Sequence, residues 1–261
     1  MSPKTFMIKK ESVLPSIFDL HVHTNRGSAD SGLDPDDMFE EAKRIGLTGI
    51  MVAEHEGWAK YDFEKFSDSH DLVLIRGLEV YTPLGHVIAI GLEKQVTGFH
   101  GGIEQVELLR KEIDDVGGFL ILAHPFRFFF DLQGVFSQNI LFRDTQNFPD
   151  TAEEASKHPV FPLMDSIEVV NGGNIDTENR FAQEVAEVLG ISGTGGSDAH
   201  SLQGLGKGST YFDEDIRNEY DLIEALRSNA SIPMDGFHTG NPSPYSSKPL
   251  DLNNEIFKIN G

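Results

Sequence analysis

The chain has 261 residues, 39% of them hydrophobic, which is enough for one sizeable core and within the range of a single-domain α/β barrel. Its 42 acidic residues against 21 basic ones leave a formal charge of −21, a field that repels polyanions unless local cations reverse it, so a general nucleic-acid binder is disfavoured. There is no cysteine, which excludes disulfides, thiolate metal sites and a cysteine nucleophile and leaves His, Asp and Glu to hold any transition metal.

Residues 1–15 read as an N-terminal extension without the apolar segment of a signal peptide. No later run approaches the roughly 18 apolar residues of a membrane span, so a cytoplasmic protein is expected. From 16 to 233 short apolar runs alternate with amphipathic stretches, as in strands joined by helices. Strands are predicted over Ser16 to His23, Leu47 to Glu54, Leu72 to Val80, His86 to Leu92, Phe119 to His124, Ser166 to Val170 and Ile191 to Asp198. Between them, Pro35 to Gly46 starts with proline, ends in glycine and aligns Met38, Ala42 and Ile45 on one face of a helix. Ile103 to Gly117 repeats that stripe, Thr177 to Gly190 follows an expected Thr177 cap, and a last helix spans Glu219 to Asn229. Arg127 to Pro162 is too long for an ordinary loop and is expected to shape a binding site or to be partly disordered. Residues 234–261, rich in Pro, Ser, Asn and Gly, read as an extended tail without a core of its own.

Ionisable residues gather at the ends of the predicted strands: His21 and His23, then Glu54, His55 and Glu56, then His124, then Asp198 and His200, with Glu79 inside the third strand. In a barrel of alternating strands and helices, the C-terminal strand ends converge on one mouth. An H-x-H on a strand puts both imidazoles on one face, and Asp198 with His200 repeats the spacing. Any one of these residues is explained as well by a hydrogen-bonded buried side chain. Together they are not, because so many buried ionisable groups need divalent cations to compensate them. His86 opens its strand instead of ending it, and His70, His100, His158 and His238 read as ordinary surface or loop histidines. Other chemistries fit poorly: Ala199 stands where a nucleophile elbow around Ser197 needs glycine, and GLGKGST lacks the full phosphate-loop spacing.

The segments DLHVHT (19–24), AEHE (53–56), GLEV (77–80), GHVIAIG (85–91), AHP (123–125), EVVNGGN (168–174) and GSDAH (196–200), in this order, resemble the PHP superfamily, the polymerase and histidinol phosphatase domains. The resemblance implies a distorted (β/α)7 TIM-like barrel in a single domain, with two to three divalent ions (Mn, Fe or Zn) in its mouth. By the same resemblance His21, His23, Glu79 and Asp198 hold a first metal, with Glu79 bridging, and His86 and His124 complete a second. His55, His200 and Asp30 take a third, with Asp34, Asp36 and Asp37 as competitors for the acidic place, and Glu54 orients His55. The activity so implied is hydrolysis of a small phosphomonoester or nucleotide by a metal-bridging hydroxide, with Glu79, Asp198 and His200 as catalytic residues. Arg127, three residues past His124, reads as a phosphate clamp. In several family members a large insertion between the equivalents of His86 and His124 forms a lid. Here that separation is short, which leaves an open site or a lid supplied by Arg127 to Pro162. The expected partner is a small anionic phosphorylated substrate, nucleotides included, and neither long nucleic acid nor a membrane. The alternatives are a nuclease acting on short oligonucleotide ends and a noncatalytic metal-binding regulatory module.

Overall fold

A computed structural model describes residues 14–93, 102–133, 136–143 and 148–246. Seven strands lie where apolar runs predict them: β1 (Ser16–Val22), β2 (Gly49–Glu54), β3 (Val73–Thr82), β4 (Gly85–Ile90), β5 (Phe119–Leu122), β8 (Ser166–Asn171) and β9 (Thr194–Gly196). A small hairpin, β6 (Leu132–Gln133) and β7 (Phe136–Ser137), stands apart, and β10 (Gly208–Phe212), β11 (Ile232–Asp235) and β12 (Ser243–Pro244) extend the main sheet. That sheet has ten strands in the order β12-β11-β10-β1-β2-β3-β4-β5-β8-β9.

The architecture is mixed α/β, and it departs from a regular (β/α)7 alternation in its strand directions. β4 runs antiparallel to both β3 and β5, because the turn between Thr82 and Gly85 is far too short for a parallel crossover. β10 runs antiparallel beside β1, and β11 and β12 continue that edge. The sheet curls until the residues after β9 reach β1: His23 N donates to Ala199 O at 2.9 Å and Asp198 N to His21 O at 2.7 Å.

Phe18, Leu20, Met51, Ile75, Ile88, Ile121 and Phe212 share one buried cluster although β1 and β5 are not neighbours in the sheet, so they lie on its concave side. The helix α6 (Glu219–Arg227) seals that side with Leu222, Ile223 and Leu226. Ser16 Oγ accepts from Ile216 N, and Arg227 reaches the carbonyls of Gly117 and Gly118, so this plug lies at the start of β1 and β5 and leaves the opposite end free for chemistry. On the convex side, α1 (Pro35–Ile45) buries Met38, Phe39 and Ala42 between the Asp34 cap and Gly46, which ends the helix in the left-handed conformation. The helices α3 (Ile103–Val116) and α5 (Asp176–Leu189) cover β4, β5 and β8 through Val106, Leu109, Ile113, Phe181 and Val185.

Several expectations are corrected. α5 starts at Asp176, one residue ahead of the expected Thr177 cap, and Glu178 accepts a hydrogen bond from Ile175 N there. The helix α2 (Lys60–Ser67) has no counterpart among the predicted elements because it buries only Phe63 and so shows little periodicity. The stretch from Met234 onward begins within the sheet, with Met234 and Phe237 buried, because both side chains pack with Met38 and Leu205. The long connection after Arg127 carries β6, β7, a short helix α4 (Ala152–Ala155) and phenylalanines stacked around Phe126 and Phe181. Most of the extension before residue 14, His100 and the tail beyond 246 lie outside the described residues. No helix among the described residues is long and apolar enough to cross a membrane.

Gly49 marks a close approach within this core, since a Cβ there would sit 2.2 Å from Cε1 of the fully buried Phe18 ring. Gly49→Ala should cost about 1–3 kcal/mol of stability by overpacking. Chemical denaturation checks this, and an unchanged midpoint would contradict the tight Phe18 packing.

Candidate metal centre

At the open end a single buried carboxylate collects five imidazoles. Glu79 Oε1 lies 3.0 Å from His86 Nδ1, 3.1 Å from His124 Nε2 and 3.5 Å from His21 Nε2, while Oε2 lies 3.2 Å from His55 Nδ1 and 3.4 Å from His23 Nε2. The strand directions explain the gathering. Because β4 is antiparallel, its first residues lie beside the last of β3, and the register pairs His86 with Tyr81 two residues past Glu79. The strand-opening histidine therefore faces the same mouth as the strand-ending ones. Asp198 joins through the β1 closure, with Oδ1 3.3 Å from His23 Nε2 and 3.5 Å from His21 Nε2. His124 and Asp198 leave their strands with φ of 29° and 54°, left-handed values that non-glycine residues adopt only when their surroundings hold them there.

Neighbouring side chains set which imidazole nitrogens face the centre. Glu168, in the middle of β8, stands 3.1 Å from His21 Nδ1, accepts from His124 N at 2.9 Å and accepts from Asn171 Nδ2 at 2.9 Å. A proton on His21 Nδ1 bonds Glu168 and turns Nε2 toward Glu79 and Asp198. Ser28 does the same for His23. Its hydroxyl donates to Glu54 at 2.6 Å, so its lone pairs accept from His55 N at 3.0 Å and from His23 Nδ1 at 3.2 Å. Glu54 also accepts from Thr24 N and Thr24 Oγ1, so it braces the loop after β1 and acts on His55 through Ser28. His200 Nδ1 donates to the Asp198 carbonyl at 3.0 Å. Gly196 is required beside His21, because a Cβ there would meet His21 Cβ at 2.4 Å and Glu168 Oε1 at 2.7 Å.

The residues fit a bound cation. His21 Nε2 and His23 Nε2 are buried polar atoms with no hydrogen bond, each facing carboxylate oxygens. Three sets of ligand atoms lie within 4.8 Å of one another: His21, His23 and Asp198; His21, Glu79 and His124; and His23, His55 and His200. His21 thus stands in the set where the family resemblance puts His86, whose Nδ1 approaches the same Glu79 oxygen. Asp30 faces the last set, with Oδ2 3.3 Å from His55 Nε2 and 3.5 Å from His200 Nε2. Of its competitors, Asp34 caps α1 and Asp36 lies 3.7 Å from His70, away from the centre. Arg127 is part of the wall: Nη2 donates at 2.6 Å to both Asn171 and Asp198, and Nε donates to Asn174 at 3.1 Å.

Burial pushes the His21 pKa down, but the carboxylates of Glu168, Asp198 and Glu79 outweigh it and hold the imidazole well above its usual range. His23, without a dedicated carboxylate at Nδ1, is pulled by burial down to about 4. The same charges act in reverse on Glu79, whose carboxyl is held well below its ordinary value by His21 and His124 despite burial. Burial pushes Asp19, beneath the centre, up to about 6, even though Ser197 N, Gly206 N and His21 N all donate to it.

Asp19 and Glu168 open the DLHVHT and EVVNGGN segments but have no role assigned to them from sequence, and Ser28 and Tyr81 are not singled out there. Glu168 also stands as an acidic residue inside a fully buried strand. Tyr81, whose hydroxyl lies 3.1 Å from His55 Nε2 and whose ring stacks on that imidazole, left no such signal.

A curled sheet with its ionisable residues at the strand ends is the plan of TIM-barrel-like α/β proteins. The family described as PHP-associated matches residues 176–231, which include Asp198 and His200. PsfC from Pseudomonas syringae PB-5123 shares the fold at TM-score 0.57 and 18% identity, over 85% of this chain and 92% of that one. A two-domain protein from Bacteroides vulgatus containing a predicted PHP-like metal-dependent phosphoesterase does so at 0.59 and 19%, over 85% of this chain and 65% of that one. The lesion-specific endonuclease EndoQ from Pyrococcus furiosus matches at 0.53 and 15%, over 85% and 58%. No curated protein matches the sequence. The PHP-associated match is confined to residues 176–231, and the structural neighbours share the fold.

Two outcomes test the centre. Glu168→Gln removes the charge that orients His21 and should weaken Mn or Zn binding by about 10–100-fold in chelator competition, whereas unchanged affinity would reject the orienting role. His21 holds its proton in the metal-free protein, and a ligand must be deprotonated, so metal uptake near pH 7 should release protons and weaken as pH falls. Titration calorimetry in buffers of different ionisation enthalpy reads that release directly.

Proposed function

We propose that this protein is a metal-dependent phosphoesterase acting on a small phosphomonoester, nucleotides included. The observation that carries this reading is Glu79, one buried carboxylate whose two oxygens divide five imidazoles between them, an arrangement suited to bridging two divalent ions. His21, His23, Glu79 and Asp198 would hold one ion, Glu79, His124 and His86 a second, and His55, His200 and Asp30 a third. The mixed imidazole and carboxylate donors suit Mn, Fe or Zn. Bound there, such ions supply an activated water at neutral pH and positive charge for the transferring phosphoryl group.

The remaining chemistry belongs to the chain. Arg127, anchored by Asn171, Asn174 and Asp198, lines a cavity with His86 and His124 and positions phosphate oxygens there. His200 stands partly exposed at the mouth with Nδ1 on the Asp198 carbonyl, so Nε2 is the nitrogen that would face an ion held with His55 and Asp30. Tyr81, pushed up to about 12 by burial and by the charges of Glu79 and Asp30, stays neutral and orients His55 by hydrogen bonding. A nuclease reading draws support from the fold shared with EndoQ, and it predicts turnover of a phosphodiester.

Phosphate release by the Mn-loaded, metal-analysed protein on AMP, a nucleotide 3′,5′-bisphosphate, histidinol phosphate, a sugar phosphate, a diester and a short oligonucleotide tests both readings. Release from a monoester, abolished in His21→Ala, is the expected result. Release confined to the diester or oligonucleotide would favour the nuclease, and two bound metals without any turnover would overturn hydrolysis. Arg127→Ala should lower kcat/KM by about 10–100-fold, the equivalent of losing charged hydrogen bonds to phosphate. Unchanged efficiency would remove the clamp.

A further inference from the structure

We propose that the cavity beside the metal centre is the subsite for the substrate's leaving group, and that it takes an uncharged apolar group the size of one ring. This rests on the phosphoesterase reading and narrows its substrate class to monoesters of one apolar ring, away from purine nucleotides. The cavity measures about 220 Å³, with His86, His124 and Arg127 on one side and Leu122, Phe128 and Leu141 among its apolar lining. No carboxylate lines it, although the whole chain carries a formal charge of −21. An anionic end therefore meets cationic and metal-ligating groups, and the body attached to it meets hydrocarbon.

The wall is built for the purpose. Asn139 is buried, and its amide donates at 2.9 Å to both Pro125 O and Arg127 O, while its carbonyl accepts from Phe142 N at 2.9 Å. One side chain thus ties the segment around Leu141 to the strand end that carries His124 and Arg127. Phe128 is the other device. Its backbone is left-handed at φ 60°, strain that a bulky residue bears only under constraint, and its N–H donates to Glu178 Oε1 at 2.6 Å. Glu178 is in turn fixed to the start of α5 by accepting from Ile175 N at 3.1 Å. Phe128, held in this way, lines the cavity and is 48% exposed, where a core phenylalanine would be buried.

Volume sets the size of the group. A cavity of roughly 150 Å³ accepts benzene, and pockets for drug-sized ligands begin near 300 Å³. A volume of about 220 Å³ therefore holds one substituted ring and excludes a fused pair.

The test uses phosphonates, whose P–C bond is not hydrolysed, so it reads binding apart from turnover. Calorimetry with the Mn-loaded protein should show phenylphosphonate binding about tenfold or more tighter than methylphosphonate, the gain expected from burying one ring, with 1-naphthylphosphonate losing that advantage. Phe128→Ala, which removes one wall, and Ile140→Trp, which fills the cavity from its lining residue Ile140, each checked for an intact melting transition, should bring the phenyl-to-methyl ratio toward one. Equal binding by the wild-type protein, or a ratio preserved in both variants, would overturn the subsite. Ring preference without hydrolysis of any ester leaves the subsite standing and removes the phosphoesterase. Hydrolysis without ring preference does the reverse.

Discussion

Glu79 is fully buried, and a buried carboxylate is tolerated only when something answers its charge. Five imidazole nitrogens do so within 3.5 Å, and most of the surrounding structure serves to keep them there. The arrangement is tense by design. An imidazole nitrogen that faces a carboxylate without a proton gains nothing from it, so the ring must either carry a proton or share a cation with its neighbour. Glu168 and Ser28 decide which nitrogen does so by occupying the far side of His21 and His23.

These orienting groups form a closed circuit. His21 bonds Glu168, Glu168 bonds Asn171, Asn171 bonds Arg127, and Arg127 bonds Asp198, which faces His21 again. The circuit crosses from β1 to β8 and to the residues after β5 and β9, so it also stitches together the end of the sheet where the strands splay. Breaking one link leaves a buried polar group unanswered, which costs more than the bond itself contributes. Function and local stability are consequently difficult to separate at this end of the molecule, whereas α6 closes the other end chiefly by apolar packing, with Arg227 on the carbonyls of Gly117 and Gly118.

Charge is distributed with the same economy. The surface is strongly acidic, yet the cavity next to the centre has two imidazoles and a guanidinium and no carboxylate. Long polyanions meet an unfavourable field, while a small anion that reaches the mouth finds local cations and, with metals bound, considerably more positive charge. The long segment after Arg127 contributes Phe128, Ile140 and Leu141 to the apolar lining of that cavity.

Much of this was legible in the chain alone. The apolar runs located β1 to β5, β8 and β9, because a strand buried on both faces must be continuously apolar. The histidines and carboxylates at their ends identified the metal-ligand candidates, because few other residues suit that chemistry. The sequence could not show the direction of β4, since periodicity is the same for parallel and antiparallel strands, and that direction alone brings His86 to the mouth. Nor could it show Glu168, Ser28 and Asn139 as orienting groups, for a buried polar residue is defined by its partners, and these partners come from distant segments. The residue types that could bind metal were thus determined locally by composition and spacing. Which nitrogen faces the centre, and what volume lies beside it, were decided only by tertiary structure, because both depend on distances between strands that no linear spacing encodes.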